Sequence, residues 1–190
     1  VQAGKNWVVD MDITKFLDRV NHDILMNRIG QTIRDKRVLR LIGRYLRAGV
    51  MVEGLVQASE EGTPQGGPLS PLLVNIYLDA LDQELEQRGL AFSRYADDCN
   101  IYVSSQRSAQ RVLASLTAWI QKHLRLEVNA TKSGTGRPWE RKFLGFRINP
   151  QGKIEAAPPS VERFKTKVRE LWRNCQSQTR DRKSTRLNSS

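Results

Sequence analysis

The chain has 190 residues, 39% hydrophobic and 27% charged, enough to bury a core and too apolar for global disorder. Its 31 Lys and Arg against 20 Asp and Glu give a net charge of +11 and a pI near 10.1, which raises the prior for a polyanionic partner. No apolar run approaches the roughly 20 residues that span a bilayer, and no secretory pattern opens the chain. Cys99 and Cys175 lie far apart without a CxxC, which argues against a disulfide framework or a zinc site and fits a reducing cytoplasm.

In chain order, Trp7 to Ile13 (WVVDMDI) reads as a buried strand ending in acids. Asn21 caps a helix through Ile29, and a second helix runs from about Asp35 to Arg47 with Val38, Leu39, Ile42, Tyr45 and Leu46 on one side. Val50 to Ser59 reads as a hairpin around Glu53-Gly54. The loop GTPQGGP then leads into a helix from about Ser70 to Arg88, whose Leu73, Ile76, Tyr77, Ala80, Leu81 and Leu85 keep the spacing of a core stripe.

Phe92 to Tyr95 and Asn100 to Val103 are short strands flanking Ala-Asp-Asp, a hairpin with acids at its tip. Ser108 to Leu124 is an amphipathic helix with Val112, Leu113, Leu116, Trp119 and Ile120 inward. Leu126 to Val128, Lys142 to Ile148 and Lys153 to Ala156 read as further strands, and Pro158-Pro159-Ser160 opens a basic helix ending near Asn174. The resulting class is α+β, a mostly antiparallel sheet backed by helices. Val1 points to a start farther upstream. The last ten residues, DRKSTRLNSS, lack periodicity and back-translate into one frame of a common sequencing-library adapter. Residues 181–190 are therefore expected to be a non-native tail; excluding their surplus of two positive charges leaves the body at +9.

Two strand ends deliver carboxylates, Asp10 and Asp12 from the first strand and Asp97 and Asp98 from the hairpin. Mg²⁺ prefers oxygen ligands and keeps waters, so two or three carboxylates plus substrate phosphates suit it. A pair of such ions activates an attacking oxygen and stabilises a leaving one. Alternation puts Asp10 and Asp12 on the same face, so either qualifies by periodicity. Asp pairs also populate ordinary exposed turns, and spacing alone goes no further than a possible metal site.

The motifs go further. YADD (Tyr95 to Asp98) between short strands resembles the Tyr-x-Asp-Asp hairpin of reverse transcriptases. DMDITKFLDRVNHDIL (Asp10 to Leu25) resembles the first palm motif of the group II intron enzymes, and GTPQGGPLSPLLVNIYLDALD (Gly62 to Asp82) is similar to their next one. LEVNATKSG (Leu126 to Gly134) and RKFLGFRI (Arg141 to Ile148) resemble the following two, so the resemblance covers about residues 7 to 175. It implies a right-hand polymerase palm over residues 1–156, with part of the fingers between the first two motifs, and the beginning of a helical thumb over 157–180. The implied activity is RNA-directed DNA synthesis of a mobile group II intron, with intron RNA binding and splicing in the full-length protein. The implied partners are an RNA template, a DNA primer, dNTPs and group II intron RNA, in a bacterial cytoplasm and without a membrane. The implied cofactor is Mg²⁺, two ions, with Mn²⁺ as an alternative.

Carried over by residue, the resemblance makes Asp12 the ligand shared by both metals and Asp97 the second principal ligand, with Asp98 their neighbour; Asp10 is structural. Ile13 adjoins the metals, where backbone amides meet the triphosphate. Phe16 and Leu17 line the nucleotide pocket, and Gln65 and Gly66 lie at the nascent base pair and template, the glycine permitting close backbone approach. Lys132 protonates the departing pyrophosphate. Phe143, Leu144, Gly145 and Phe146 form the primer grip, and Tyr95 packs beside the primer end. Arg163, Lys165, Lys167 and Arg169 on the last helix face the template–primer backbone, although a solvated face accounts for them equally.

One departure concerns Leu17. The family has two aromatics here, the second screening the sugar against a 2′-hydroxyl, and a branched aliphatic screens less completely than a flat ring. His22 and His123 lack partners at metal-binding spacing and read as local hydrogen-bonding or helix-end residues. Trp7, Trp119, Trp139 and Trp172 read as core or thumb packing. Without complete fingers and thumb, the chain alone is expected to be inactive or weak as a polymerase. Competing readings are a retron, diversity-generating or CRISPR-associated reverse transcriptase, or a non-catalytic RNA-binding splicing module. A nucleotide cyclase on a related palm is more distant, because its Gly-Gly-acidic hairpin is missing.

Overall fold

Strand β1 (Trp7–Met11) places Val9 and Met11, with Ile13 beyond its end, on the face that joins the main hydrophobic cluster. Asp10 and Asp12 have the opposite parity. The computed structural model describes residues 4–48, 50–52, 55–57, 61–64 and 67–187, with 50–52, 55–57 and 176–187 described by backbone alone. It divides the chain into two compact units, 1–137 and 138–190.

In the first unit, β1 is followed by a short 3₁₀ turn (Phe16–Asp18), α1 (His22–Thr32) and α2 (Lys36–Arg47). The Asn21 side chain accepts from the Ile24 amide and the Asp35 side chain from the Arg37 amide, which explains where both helices begin. Strands β2 (Val50–Val52) and β3 (Leu55–Gln57) pair antiparallel, while the Glu53-Gly54 tip lies outside the described residues. Helix α3 (Ser70–Gln87) has proline in its first turn, where a missing N–H costs little. It buries Leu73, Val74, Tyr77, Leu78, Ala80, Leu81 and Leu85. Strands β4 (Ala91–Tyr95) and β5 (Asp98–Val103) form the acid-bearing hairpin. Ser105 caps α4 (Gln106–Leu124), which buries Ala109, Val112, Leu116, Ile120 and Leu124.

The sheet runs β4-β5-β1-β6, where β6 is Gly134–Gly136, and every neighbouring pair is antiparallel. The architecture is α+β, as the sequence implies. The fourth strand differs from expectation: Leu126 to Val128 contributes a single bridge, Val128 to Ile13, and three glycine-flanked residues downstream take the edge position. A β-branched run marks a strand by side chain. β6 is selected by backbone pairing to Val8, Val9 and Asp10, which leaves little mark in composition. Val38 also departs from its expected inward place and is exposed on α2.

In the second unit, β7 (Phe146–Ile148) and β8 (Ile154–Ala156) form a hairpin ahead of α5 (Pro158–Leu187). Lys142 to Ile148 is therefore not one strand. Phe143 and Phe146 exchange both backbone hydrogen bonds, 2.8 and 2.9 Å, around a turn at Leu144-Gly145. Helix α5 continues past Asn174 to Leu187, because no proline or glycine interrupts the chain after Pro159. The boundary expected at 156/157 falls inside this unit, between β8 and α5. No helix among the described residues is long and apolar enough to cross a membrane.

Candidate active site

The register of β1 on β5 pairs Asp10 with Asn100 and Met11 with Cys99. The next positions along that ladder are Asp12 and Asp98. On its other side Asp98 pairs with Tyr95, so the hairpin turn consists of Ala96 and Asp97 alone. The expected tip thus holds one acid, Asp97, while Asp98 belongs to the strand. Ala96 takes a φ of 52°, a strained left-handed conformation for a residue with a Cβ. Three carboxylates reach the adjoining ends of two strands by this route.

Asp12 is anchored by the loop after α4. Its amide donates to Ser133 Oγ at 2.9 Å, and its carbonyl accepts from the Asn129 amide at 2.8 Å and from Ser133 Oγ at 3.3 Å. Asn129 Oδ1 in turn accepts from the amides of Thr131 and Lys132 and from Thr131 Oγ1, folding the segment into a tight turn. That turn brings Lys132 Nζ to 3.4 Å from Asp12 Oδ2, a pairing that the separate motifs do not show. Ile13 is buried, and its bridge to Val128 uses the Asp12 carbonyl and the Thr14 amide rather than its own backbone groups.

Phe16 and Leu17 part company. Phe16 is 3% exposed and packs against the Tyr77 ring at 6.3 Å, a core position rather than a pocket lining. Leu17 is 38% exposed, and its carbonyl accepts from the Thr63 amide at 2.7 Å. This ties it to the GTPQGGP loop. Gly62 has a φ of 87° and lies so close that an added Cβ would stand 2.9 Å from Leu17 O. His22 Nε2 donates to Gly62 O at 2.7 Å, a local hydrogen-bonding role as expected. Gln65 and Gly66 lie outside the described residues. Downstream, Ser70 Oγ donates to Pro64 O at 2.6 Å and meets Tyr45 Oη at 3.0 Å. A Cβ on Gly67 would come within 1.9 Å of the same Tyr45 oxygen.

Tyr95 is exposed at the end of β4. In the second unit, Leu144 and Gly145 both have positive φ, 52° and 82°, the pattern of a type I′ hairpin turn. The Gly145 carbonyl accepts from the Ala157 amide at 2.9 Å, and Leu144 and Phe146 are exposed. Arg163, Lys165, Lys167 and Arg169 are exposed along α5, with Lys165 paired to Glu162. Trp172 is exposed there, whereas Trp7 and Trp119 pack against the core.

No set of three His, Cys, Asp or Glu side chains converges into a metal cage among the described residues. Mg²⁺ does not require one, since one or two carboxylates suffice when waters and substrate phosphates complete its octahedron. The all-oxygen donors Asp12, Asp97 and Asp98 fit that mode.

Sequence reasoning passed over Arg94. Its Nε donates to Asp82 Oδ1 at 2.7 Å, and Nη2 pairs with Asp82 Oδ2. Its Nη1 reaches Asn75 Oδ1 at 3.1 Å and the Ala96 carbonyl at 2.9 Å. The hydrogen bonds it donates to Asp82 raise the pKa of the guanidinium above its usual value. Ser133 and Asn129 were also missed, although an Asn two residues before Thr131 is a recognisable turn signal.

An antiparallel sheet backed by helices, with acids at the adjoining ends of two strands, is the palm of a right-hand polymerase. The chain belongs to the reverse transcriptase family: residues 1–148 match the family described as "Reverse transcriptase (RNA-dependent DNA polymerase)". It is 41% identical over 85 residues to Protein YkfC of Escherichia coli, covering 45% of this chain and 22% of that protein. It is 40% identical over 92 residues to the group II intron-encoded protein LtrA of Lactococcus lactis, covering 48% and 15%. The retron Ec86 reverse transcriptase of Escherichia coli is 24% identical over 174 residues, covering 89% and 50%. The chain thus spans under a quarter of the length of the first two relatives. The telomerase of Candida albicans superposes with a TM-score of 0.65 at 14% identity, covering 81% of this chain and 31% of that one, a likeness of fold.

Proposed function

We propose that the chain is the palm of a group II intron-encoded reverse transcriptase, extending a DNA primer on an RNA template. The observation that carries this reading is the meeting of Asp12, Asp98 and the Asp97 turn at the adjoining ends of the two central strands, with Lys132 against Asp12. The higher identity to LtrA than to the retron enzyme supports the intron type over the retron alternative.

In this reading the primer 3′-hydroxyl attacks the α-phosphorus of a dNTP, and pyrophosphate leaves. Asp12, Asp97 and Asp98 would hold a pair of Mg²⁺ ions, or Mn²⁺ in their place, and the bound ions would neutralise charge on the attacking and leaving oxygens. The Ser133 and Asn129 contacts hold the Asp12 backbone in place and so fix where its carboxylate departs from the strand end. Lys132 delivers a proton to the departing pyrophosphate, Leu17 screens the sugar, and Ile13 offers its backbone amide to the triphosphate. Gln65 and Gly66 meet the template base pair, and Phe143 to Phe146 grip the primer. Residues 1–156 form the palm, 157–180 begin the thumb, and 181–190 are a non-native tail.

The charge of +9 that remains without the tail suits the RNA template, the primer and, in the full-length protein, intron RNA. The test pairs two assays on Asp97→Ala: Mg²⁺-dependent, template-dependent incorporation is lost while RNA binding persists with its salt dependence. Retained incorporation would refute the assignment. A wild-type chain that binds RNA but never incorporates, even in a single turnover with protein in excess, would leave the binding module in its place.

A further inference from the structure

Arg94 stands just before Tyr95 on β4, and its side chain ties helix α3 to the acid-bearing turn through four hydrogen bonds. Two of them grip both carboxylate oxygens of Asp82, in the fork geometry that only a guanidinium supplies. A third reaches Asn75, two helical turns earlier on the same side of α3. The fourth leaves the helix and holds the Ala96 carbonyl.

That carbonyl belongs to the peptide unit whose nitrogen is the Asp97 amide. Peptide planarity makes the two ends rigid partners, so fixing the Ala96 oxygen fixes the plane from which the Asp97 side chain departs. The anchoring matters because Ala96 sits at a φ of 52°, where an unrestrained alanine would relax toward negative φ. The Arg94 side chain is 10% exposed and that of Asp82 23%, so water competes weakly for these bonds.

We propose that Arg94 is a positioning residue for Asp97, a strut that transfers the rigidity of α3 to the metal-facing turn through the Ala96 carbonyl. It touches neither substrate nor metal, and it rests on the reading of Asp97 as a metal ligand. Asp82 and Asn75 hold the strut in place. A lysine at position 94 keeps the charge but cannot span Asp82 and Ala96 together.

Arg94→Lys and Asp82→Asn test the strut, with circular dichroism confirming folding and results expressed per folded molecule. Two readouts are taken on each: single-turnover dNTP incorporation as a function of Mg²⁺, and Mn²⁺ binding followed by electron paramagnetic resonance with dNTP present. The strut predicts that Arg94→Lys lowers the maximal rate on the order of tenfold or more, as expected for a small misplacement of a catalytic group. It also predicts weaker Mn²⁺ binding, a higher Mg²⁺ requirement and unchanged primer–template affinity. Asp82→Asn gives a smaller effect of the same kind, and the double variant is no worse than Arg94→Lys, because both act through one network. Folded Arg94→Lys with wild-type rate and metal dependence overturns the proposal, as does a loss confined to thermal stability. An Asp97→Ala control that still incorporates would instead overturn the assignment of Asp97, which separates the two failures.

Discussion

Lys132 Nζ lies 3.4 Å from Asp12 Oδ2, placed there by a turn folded around the Asn129 side chain. Lys132 is 68% exposed, and an ion pair that wet contributes little to folding, typically under about 1 kcal/mol. Its contribution as a proton donor is on the order of a hundredfold or more. Lys132→Ala is therefore expected to leave the melting temperature nearly unchanged while slowing single-turnover incorporation by about two orders of magnitude. Melting and rate measured on the same preparation decide it, and a rate within twofold of wild type would remove Lys132 from the chemistry.

Leu17 stands partly exposed where a ring is expected, and its carbonyl is tied to Thr63. Leu17→Phe should improve rejection of ribonucleotides by roughly tenfold, the scale on which apolar pocket changes discriminate. Competitive incorporation of rNTP against dNTP reads the ratio directly. Equal ratios for the two proteins would mean that another residue screens the sugar.

Gly62 and Gly89 both have positive φ, 87° and 64°, yet only Gly62 is hemmed in, with a Cβ meeting Leu17 O at 2.9 Å and Asp18 at 3.0 Å. Gly89 has open space. Gly89→Ala should cost about 1 kcal/mol of backbone strain, and Gly62→Ala clearly more, since backbone atoms cannot step aside. Urea unfolding of the two variants gives the order, and equal midpoints would contradict the close approach.

Burial, more than the nearby Asp82 charge, pushes the Cys99 thiol from 9.0 up to about 12. The folded state thus holds a proton that the unfolded chain releases above pH 9. This contribution is fully present below pH 9 and is lost as pH rises toward 12. Stability of the wild type should fall across that window more steeply than that of Cys99→Ala. Below it, a thiol reagent should label exposed Cys175 at once and Cys99 only on unfolding. Rapid labelling of both would contradict the burial.

Much of this site is legible in the sequence because its signals are local. Asp12 follows a β-branched run, the YADD turn is bounded by short strands, and Asn21 and Asp35 cap the helices that follow them, whereas the Ser105 cap starts α4 two residues before the expected Ser108. Phe16 was less legible: the resemblance puts it in the nucleotide pocket, while its burial against Tyr77 depends on a helix far along the chain. β6 was hidden because Gly-Thr-Gly has no strand composition and earns its place by pairing with β1. Arg94, Asn75 and Asp82 look like solvated polar residues until β4 and α3 pack side by side, and no spacing within either element shows that they meet.

The most direct test of the account is single-turnover extension of a DNA primer on an RNA template, with protein in excess so that weak duplex binding does not mask chemistry. The wild-type chain with Mg²⁺ is expected to add the one nucleotide that the template base specifies, changing its choice when that base is changed. Asp12→Asn and Asp97→Ala are each expected to abolish the addition. Addition that ignores the template, or that survives in either variant, would contradict the assignment of these acids to template-directed synthesis.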